Sequence, residues 1–199
     1  MGYTNRTGTY RNLDYDREFF PTPHNLCVAS LKLVPGIESS MHVLDAGAGT
    51  GAWGKAFREL NKVVKLTGIE KENLPKPDNN TYNKWIIGDY LELDDRNCYE
   101  VIFGNPPFSL AEKFIHQSRK RLYGSGYIVF LLRLAFLEGQ KRCETLFELF
   151  APKVVYALPK RPSFTYDGKT GSTAFGIFVW QADYIEETKL RWLIWNDKS

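Results

Sequence analysis

Val43-Leu44-Asp45-Ala46-Gly47-Ala48-Gly49-Thr50-Gly51-Ala52 is the stretch on which the fold turns. A short apolar run predicts a buried strand. Glycines spaced by one residue predict a tight turn in which a ligand lies against bare backbone. Residues 52–61 read as the helix that follows, and a helix N-terminus offers unpaired N–H groups to an anion. Strand, glycine turn and helix together open a doubly wound α/β domain.

The same alternation continues outward. Residues 63–69 predict a strand ending at Glu70, 85–87 a strand ending at Gly88-Asp89, and 101–103 and 127–132 two more. Helices are predicted at 24–33, 110–122 and 141–150. Arg119, Lys120 and Arg121 lie at the C-terminal end of the second of these, where cations suit the helix dipole. Strands alternating with helices imply a mostly parallel sheet covered on both faces. Two late strands, 154–158 and 174–180, have no helix between them and predict a closing antiparallel hairpin. The expected fold is α/β and Rossmann-like, with a mostly parallel seven-stranded sheet, a C-terminal antiparallel hairpin and helices on both faces. Residues 190–195 fit a strand or a short helix, and periodicity does not decide between them.

A chain of 199 residues fits one domain with an arm. Residues 1–18 are polar, with Tyr3, Tyr10 and Tyr15 interleaved with Arg6, Arg11 and Arg17. They fit a frayed terminus or an arm that orders on nucleic acid, where aromatics stack and arginines meet phosphate. Residues 19–199 form the expected single catalytic domain. A hydrophobic content of 43% excludes disorder throughout. The net charge of +3 permits a polyanionic partner without demanding one. Cys27, Cys98 and Cys143 are odd in number, widely spaced and free of any Cys-x-x-Cys pattern. With only three histidines beside them no metal cluster is read, and reduced thiols in a cytoplasm are the simplest expectation. No apolar stretch reaches membrane-spanning length, and the polar, tyrosine-rich N-terminus is no signal peptide.

Asn105-Pro106-Pro107-Phe108 directly follows the apolar run Val101-Ile102-Phe103-Gly104. Two prolines in a row fix φ and supply no N–H, and they push Asn105 and Pro106 towards extended geometry. The result is a stiff loop of acceptors. The Asn105 side-chain oxygen and the Pro106 carbonyl can together hold the two protons of an exocyclic amino group. Phe108 offers a ring on which a base can stack. An aromatic amine is a poor nucleophile because its lone pair is delocalised. Hydrogen bonds from both of its protons oppose that delocalisation.

For the glycine loop two ligand classes fit. Gly47, Gly49 and Gly51 after Asp-Ala suit S-adenosylmethionine (AdoMet). Gly47, Gly49 and Ala52 also satisfy a relaxed dinucleotide fingerprint. Asp45 can engage a ligand ammonium, directly or through water, and Glu70 stands at the spacing of an acidic residue that grips ribose hydroxyls. Asp89 can accept a hydrogen bond from the adenine amino group of AdoMet, and Tyr90 can cover the ring. As a bland alternative, Asp89 is a turn or cap residue.

Together, Phe20-Pro21-Thr22-Pro23, the glycine loop and Asn105-Pro106-Pro107-Phe108, in this order, resemble the AdoMet-dependent DNA N6-adenine methyltransferases. The stretch from Arg161 to Trp180 looks like the small phage-type, Dam-like members. The resemblance implies AdoMet as cofactor, with Phe20, Thr22 and Pro23 over its methionine end. For Pro23 the alternative is a capping turn. It implies a cytoplasmic enzyme, in a bacterium or a phage-infected host, that methylates adenine N6 in DNA after flipping the base out of the duplex. Phe108 is then one wall of the base slot and Phe164 the other, with Arg161 and Lys169 beside the flanking phosphates. Phe164 as a hydrophobic plug, and Arg161 and Lys169 as solvated cations, are the plain alternatives. Larger relatives carry a target-recognition domain for which this chain has no room, so weak or very short sequence specificity is expected, with salt-sensitive affinity. Restriction–modification is the associated setting. An RNA adenine methyltransferase, and a nucleic-acid-binding protein of this fold without turnover, are the other functions the motifs fit. Oligomeric state is not legible.

Overall fold

The structure is a computed structural model that describes residues 20–38, 40–60, 65–75, 77–93, 98–164 and 170–196. Its elements follow the order expected from the glycine loop outward. They are α1 (His24–Leu31), β1 (His42–Ala46), α2 (Ala52–Glu59), β2 (Lys65–Glu70), β3 (Lys84–Ile87), β4 (Tyr99–Gly104), α3 (Ala111–Arg119), β5 (Leu122–Arg133), β6 (Val154–Ala157), β7 (Phe175–Gln181) and β8 (Lys189–Trp192). A short 3-10 turn, Phe108–Leu110, leads into α3. Between β5 and β6 a helix, α4, runs as Gln140–Arg142, a wider π turn Cys143–Phe147, and Glu148–Phe150.

The sheet order is β3-β2-β1-β4-β5-β7-β6-β8. β1 pairs in parallel with β2 and β4, β2 with β3, and β4 with β5. β7 is antiparallel to both β5 and β6, as the expected hairpin requires. The sheet therefore has eight strands rather than the expected seven. The extra one is β8, parallel to β6 at the sheet edge, and it settles the ambiguity over residues 190–195 in favour of a strand. All four of its residues are exposed, so the polar–apolar alternation of Lys189-Leu190-Arg191-Trp192 buries neither face.

Buried strands read as continuous apolar runs because both faces are covered. Ile128 to Leu132 in β5 are all essentially inaccessible. Alternate residues feed opposite faces. Val43, Phe103 and Val129 pack with Phe57 of α2 on one side. Leu44, Ile102 and Phe130 pack with Ile115 of α3 on the other. One boundary differs from expectation. α3 stops at Arg119, and Arg121 leaves the helix to donate to the Leu93 carbonyl while its own carbonyl receives Tyr99 N–H. Arg121 is thus buried rather than a cation at a helix end.

The strand order reverses between β1 and β4. In an open α/β sheet the crevice beyond the carboxyl ends of the strands at such a switch point is where ligands bind. Here those ends carry Gly47, Glu70 and Asn105.

Candidate functional site

A cavity of about 470 Å³ opens at that switch point. Its walls are the 20–22 segment, the 47–50 loop, the first turn of α2, the ends of β2 and β3, and Asn105, Pro107 and Ser109. Such a volume suits a small organic ligand or cofactor.

The glycine loop is pinned from beneath. Gly47 N–H and Ala48 N–H both donate to the Ile69 carbonyl, at 3.0 and 2.9 Å. Gly47, Gly49 and Gly51 all have positive φ, a conformation that excludes most side chains. Gly47 and Gly49 line the cavity. Gly51 does not. It caps α2, and a Cβ there would meet Pro77 Cγ at 2.5 Å. In this structure its place is accounted for by packing and turn geometry.

Glu70 accepts Gly49 N–H at 2.7 Å through Oε2 and Glu72 N–H at 2.8 Å through Oε1. Burial raises its pKa, against the pull of backbone N–H groups, among them Gly49's. It lines the cavity, and each oxygen keeps a further lone pair for a hydroxyl donor. Asp89 also lines it. Its Oδ2 accepts from Lys71 Nζ at 2.8 Å, which lowers its pKa, and Oδ1 accepts Leu91 N–H at 2.9 Å. The turn role and the cavity position of Asp89 thus coexist. Tyr90 forms part of the wall with its hydroxyl 2.9 Å from Ser118 Oγ, and burial raises its pKa.

Asp45 is placed differently from expectation. It is fully buried and absent from the cavity wall. Tyr82 donates a 2.5 Å hydrogen bond to its Oδ2. The physical reason is strand alternation. Asp45 shares the Val43 face of β1, under α1 and α2, where Oδ2 is taken by Tyr82 and Oδ1 has no partner among the described residues. Burial raises the Asp45 pKa to about 7, with the Tyr82 bond opposing and the Glu70 charge adding. The unfolded carboxyl titrates near 4. Between these values the folded chain binds more protons, so stability falls as pH rises from about 4 to about 7. An asparagine at this position cannot ionise and keeps an acceptor for Tyr82. Asp45→Asn is therefore expected to raise the urea midpoint more at pH 8 than at pH 5. An equal change at both would place this titration elsewhere.

Asn105 supplies the central observation. Its Nδ2 donates to the Phe20 carbonyl at 2.7 Å. Only the amide nitrogen can donate to a carbonyl, so this bond assigns the amide orientation. The Oδ1 atom is buried and without a partner among the described residues. Leaving such an acceptor unpaired costs about 1–3 kcal/mol. A wall of the same cavity holds Trp53, whose buried indole N–H also lacks a partner among the described residues. A ligand with a donor and an acceptor of its own would pair both atoms.

Around Asn105 the expected residues divide. Thr22 lines the cavity together with Phe20 and Pro21. Pro23 does not. Its carbonyl receives Leu26 and Cys27 N–H, and it is the N-cap of α1, one residue before the first helical position. Pro107 lines the cavity, while Pro106 is buried and does not. Phe108 is not open for stacking. Phe20 stacks on it at 5.4 Å, and Arg133 stands 4.6 Å from its centroid. Phe20 also lies 5.4 Å from Phe164, which in turn meets Phe175 at 5.1 Å. The slot expected between Phe108 and Phe164 is thus filled by Phe20. Arg161 is exposed and belongs to a separate depression at the end of β6. Lys169 lies outside the described residues. Trp53, Lys71, Ser109 and Phe114 are wall residues the sequence did not single out.

Among the described residues no helix is long and apolar enough to cross a membrane, and no group of three His, Cys, Asp or Glu is placed to hold a metal ion.

No protein-family model and no curated protein matches this sequence. Solved structures do match the fold. A Listeria monocytogenes protein assigned to the class I AdoMet-dependent methyltransferases aligns with a TM-score of 0.64 at 14% identity, over 90% of this chain and 67% of its own. The methyltransferase subunit of a type I restriction–modification system from Streptococcus thermophilus aligns at 0.63 with 15% identity, over 83% of this chain. The chain spans 45% of that subunit. An rRNA methylase from Streptococcus thermophilus aligns at 0.52 with 16% identity, over 80% of this chain and 95% of its own. At such identities the likeness is one of fold. This chain has the Rossmann-like class I methyltransferase fold.

Proposed function

We propose that this chain is an AdoMet-dependent methyltransferase that modifies the N6 amino group of adenine in DNA. The observation that carries it is the buried, unpartnered Asn105 Oδ1, held in place by the Phe20 carbonyl at the edge of a ligand-sized cavity.

The cofactor fits the residues present. Gly47 and Gly49 leave bare backbone for it, Glu70 suits its ribose hydroxyls, Asp89 and Tyr90 suit its adenine, and Trp53 and Thr22 suit its methionine end. Bound there, AdoMet supplies an electrophilic methyl group. The protein's own work is positional and electrostatic. Asn105 Oδ1 accepts one proton of the substrate amino group. The Pro106 carbonyl accepts the other, which draws the nitrogen lone pair out of the ring. Phe108 supports the base once Phe20 swings aside. Arg161 is exposed beyond β6 and suits a flanking phosphate, and Lys169, outside the described residues, is a second cation close to it in sequence. Residues 1–18, which lie outside the described residues, carry further tyrosines and arginines suited to the strand. The solved relatives that act on nucleic acid include a restriction–modification subunit and an rRNA methylase, which supports the substrate class.

The test is incubation of defined adenine-containing DNA and RNA oligonucleotides with methyl-labelled AdoMet, followed by nucleoside mass spectrometry. N6-methyldeoxyadenosine is the expected product. Label confined to RNA, or to cytosine, overturns the substrate assignment. AdoMet binding without any methylated nucleoside overturns the activity.

A further inference from the structure

Ser109 lines not only the main cavity but a second one, of about 280 Å³. Its other walls are Phe108, the C-terminal end of β5 with Leu132 and Arg133, the turn after it with Phe136, and Arg142. Two arginines thus line one small space beside the Pro-Pro-Phe loop.

The two arginines differ in duty. Arg142 Nη1 donates to the carbonyls of Phe136 and Glu138, both at 2.7 Å, and its Nε reaches Glu112 Oε2 at 3.4 Å. Its guanidinium also sits 4.1 Å over the Phe136 ring. Arg142 therefore fixes the turn that follows β5, and Glu112 offsets much of its charge. Arg133 opens that turn. It is exposed, and its guanidinium stands 4.6 Å from the Phe108 centroid. A strand end beside the switch point is a position from which functional side chains act.

We propose that this cavity binds a phosphodiester of the substrate strand, with Arg133 as the residue that meets it. This rests on the nucleic-acid reading given above. A guanidinium matches phosphate with a planar, two-pronged donor set. Base and phosphate belong to the same nucleotide, so a cation against the ring that supports the base is where the backbone passes. Arg133 then positions the nucleotide and performs no proton transfer.

The experiment measures the affinity of a fluorescent DNA duplex for wild type, Arg133→Gln and Arg133→Lys between about 50 and 200 mM salt, with AdoMet affinity measured alongside. Arg133→Gln is expected to weaken DNA binding about ten-fold and to lower the slope of log affinity against log salt by about one. Arg133→Lys is expected to keep the slope. Both variants are expected to bind AdoMet as wild type does. An unchanged slope for Arg133→Gln overturns the proposal, as does a parallel loss of AdoMet binding, which marks a packing role. Binding is read without turnover. A slope change in a protein that methylates nothing sinks the proposed activity and leaves the phosphate contact standing. Normal methylation with an unchanged slope does the reverse.

Discussion

Asn105→Ala is expected to lower kcat by about 10²–10³-fold while AdoMet affinity stays within about three-fold of wild type. The magnitude follows from losing one preorganised hydrogen-bonding group at a reacting centre. Asn105 joins two functions in one amide. Its nitrogen ties the 20–22 segment to the cavity through the Phe20 carbonyl, and its oxygen is the unpaired acceptor. Asn105→Asp separates them. It keeps the acceptor but sets a carboxylate oxygen against the Phe20 carbonyl, so its rate should fall between wild type and alanine. Single-turnover kinetics with calorimetric AdoMet titration checks both variants. An alanine variant with near-normal rate removes Asn105 from the chemistry. An alanine variant that loses AdoMet affinity as steeply as rate reduces it to a structural clamp.

What the sequence made legible is what depends on local order. The strand–glycine–helix run, the acidic residues ending β2 and following β3, and the Pro-Pro-Phe loop after β4 all fall at strand ends, and strand ends follow from apolar runs and punctuation. Contacts across long separations were hidden. Tyr82 turns Asp45 into a core residue from 37 positions away, and Phe20 reaches Asn105 from 85 away. The face of Asp45 was in principle readable, since Val43 and Asp45 must point the same way along a strand. Gly51 was grouped with Gly47 and Gly49 because spacing alone does not separate a glycine that meets a ligand from one that passes under Pro77. Residues 190–195 stayed open between a strand and a short helix because the segment is short, and β8 turns out to bury neither face. Arg133 did leave a signal, a cation closing the long apolar run of β5.

Gly104→Ala is expected to be the most damaging small substitution in the site. A Cβ on Gly104 would lie 2.5 Å from the Ala46 carbonyl oxygen, which is backbone and cannot rotate away. β1 cannot yield sideways either, because Ala46 is paired to Ile69 of β2 on its other edge. β4 is held in turn by Gly104 facing Phe130 of β5. The strands must part or twist, at a cost of about 3 kcal/mol or more. For a domain of this size that lowers Tm by roughly 6–12 °C. Ala46 and Gly104 immediately precede Gly47 and Asn105. Their close approach therefore sets the separation between the glycine loop and the Asn105 amide. Gly104→Ala should lose AdoMet affinity as well as turnover, unlike Asn105→Ala. Gly171→Ala is the control, since a Cβ there meets nothing within 4 Å. Thermal unfolding with AdoMet titration measures both effects. A Gly104→Ala protein that melts and binds like the Gly171→Ala control would show that the two loops are not held apart by this contact.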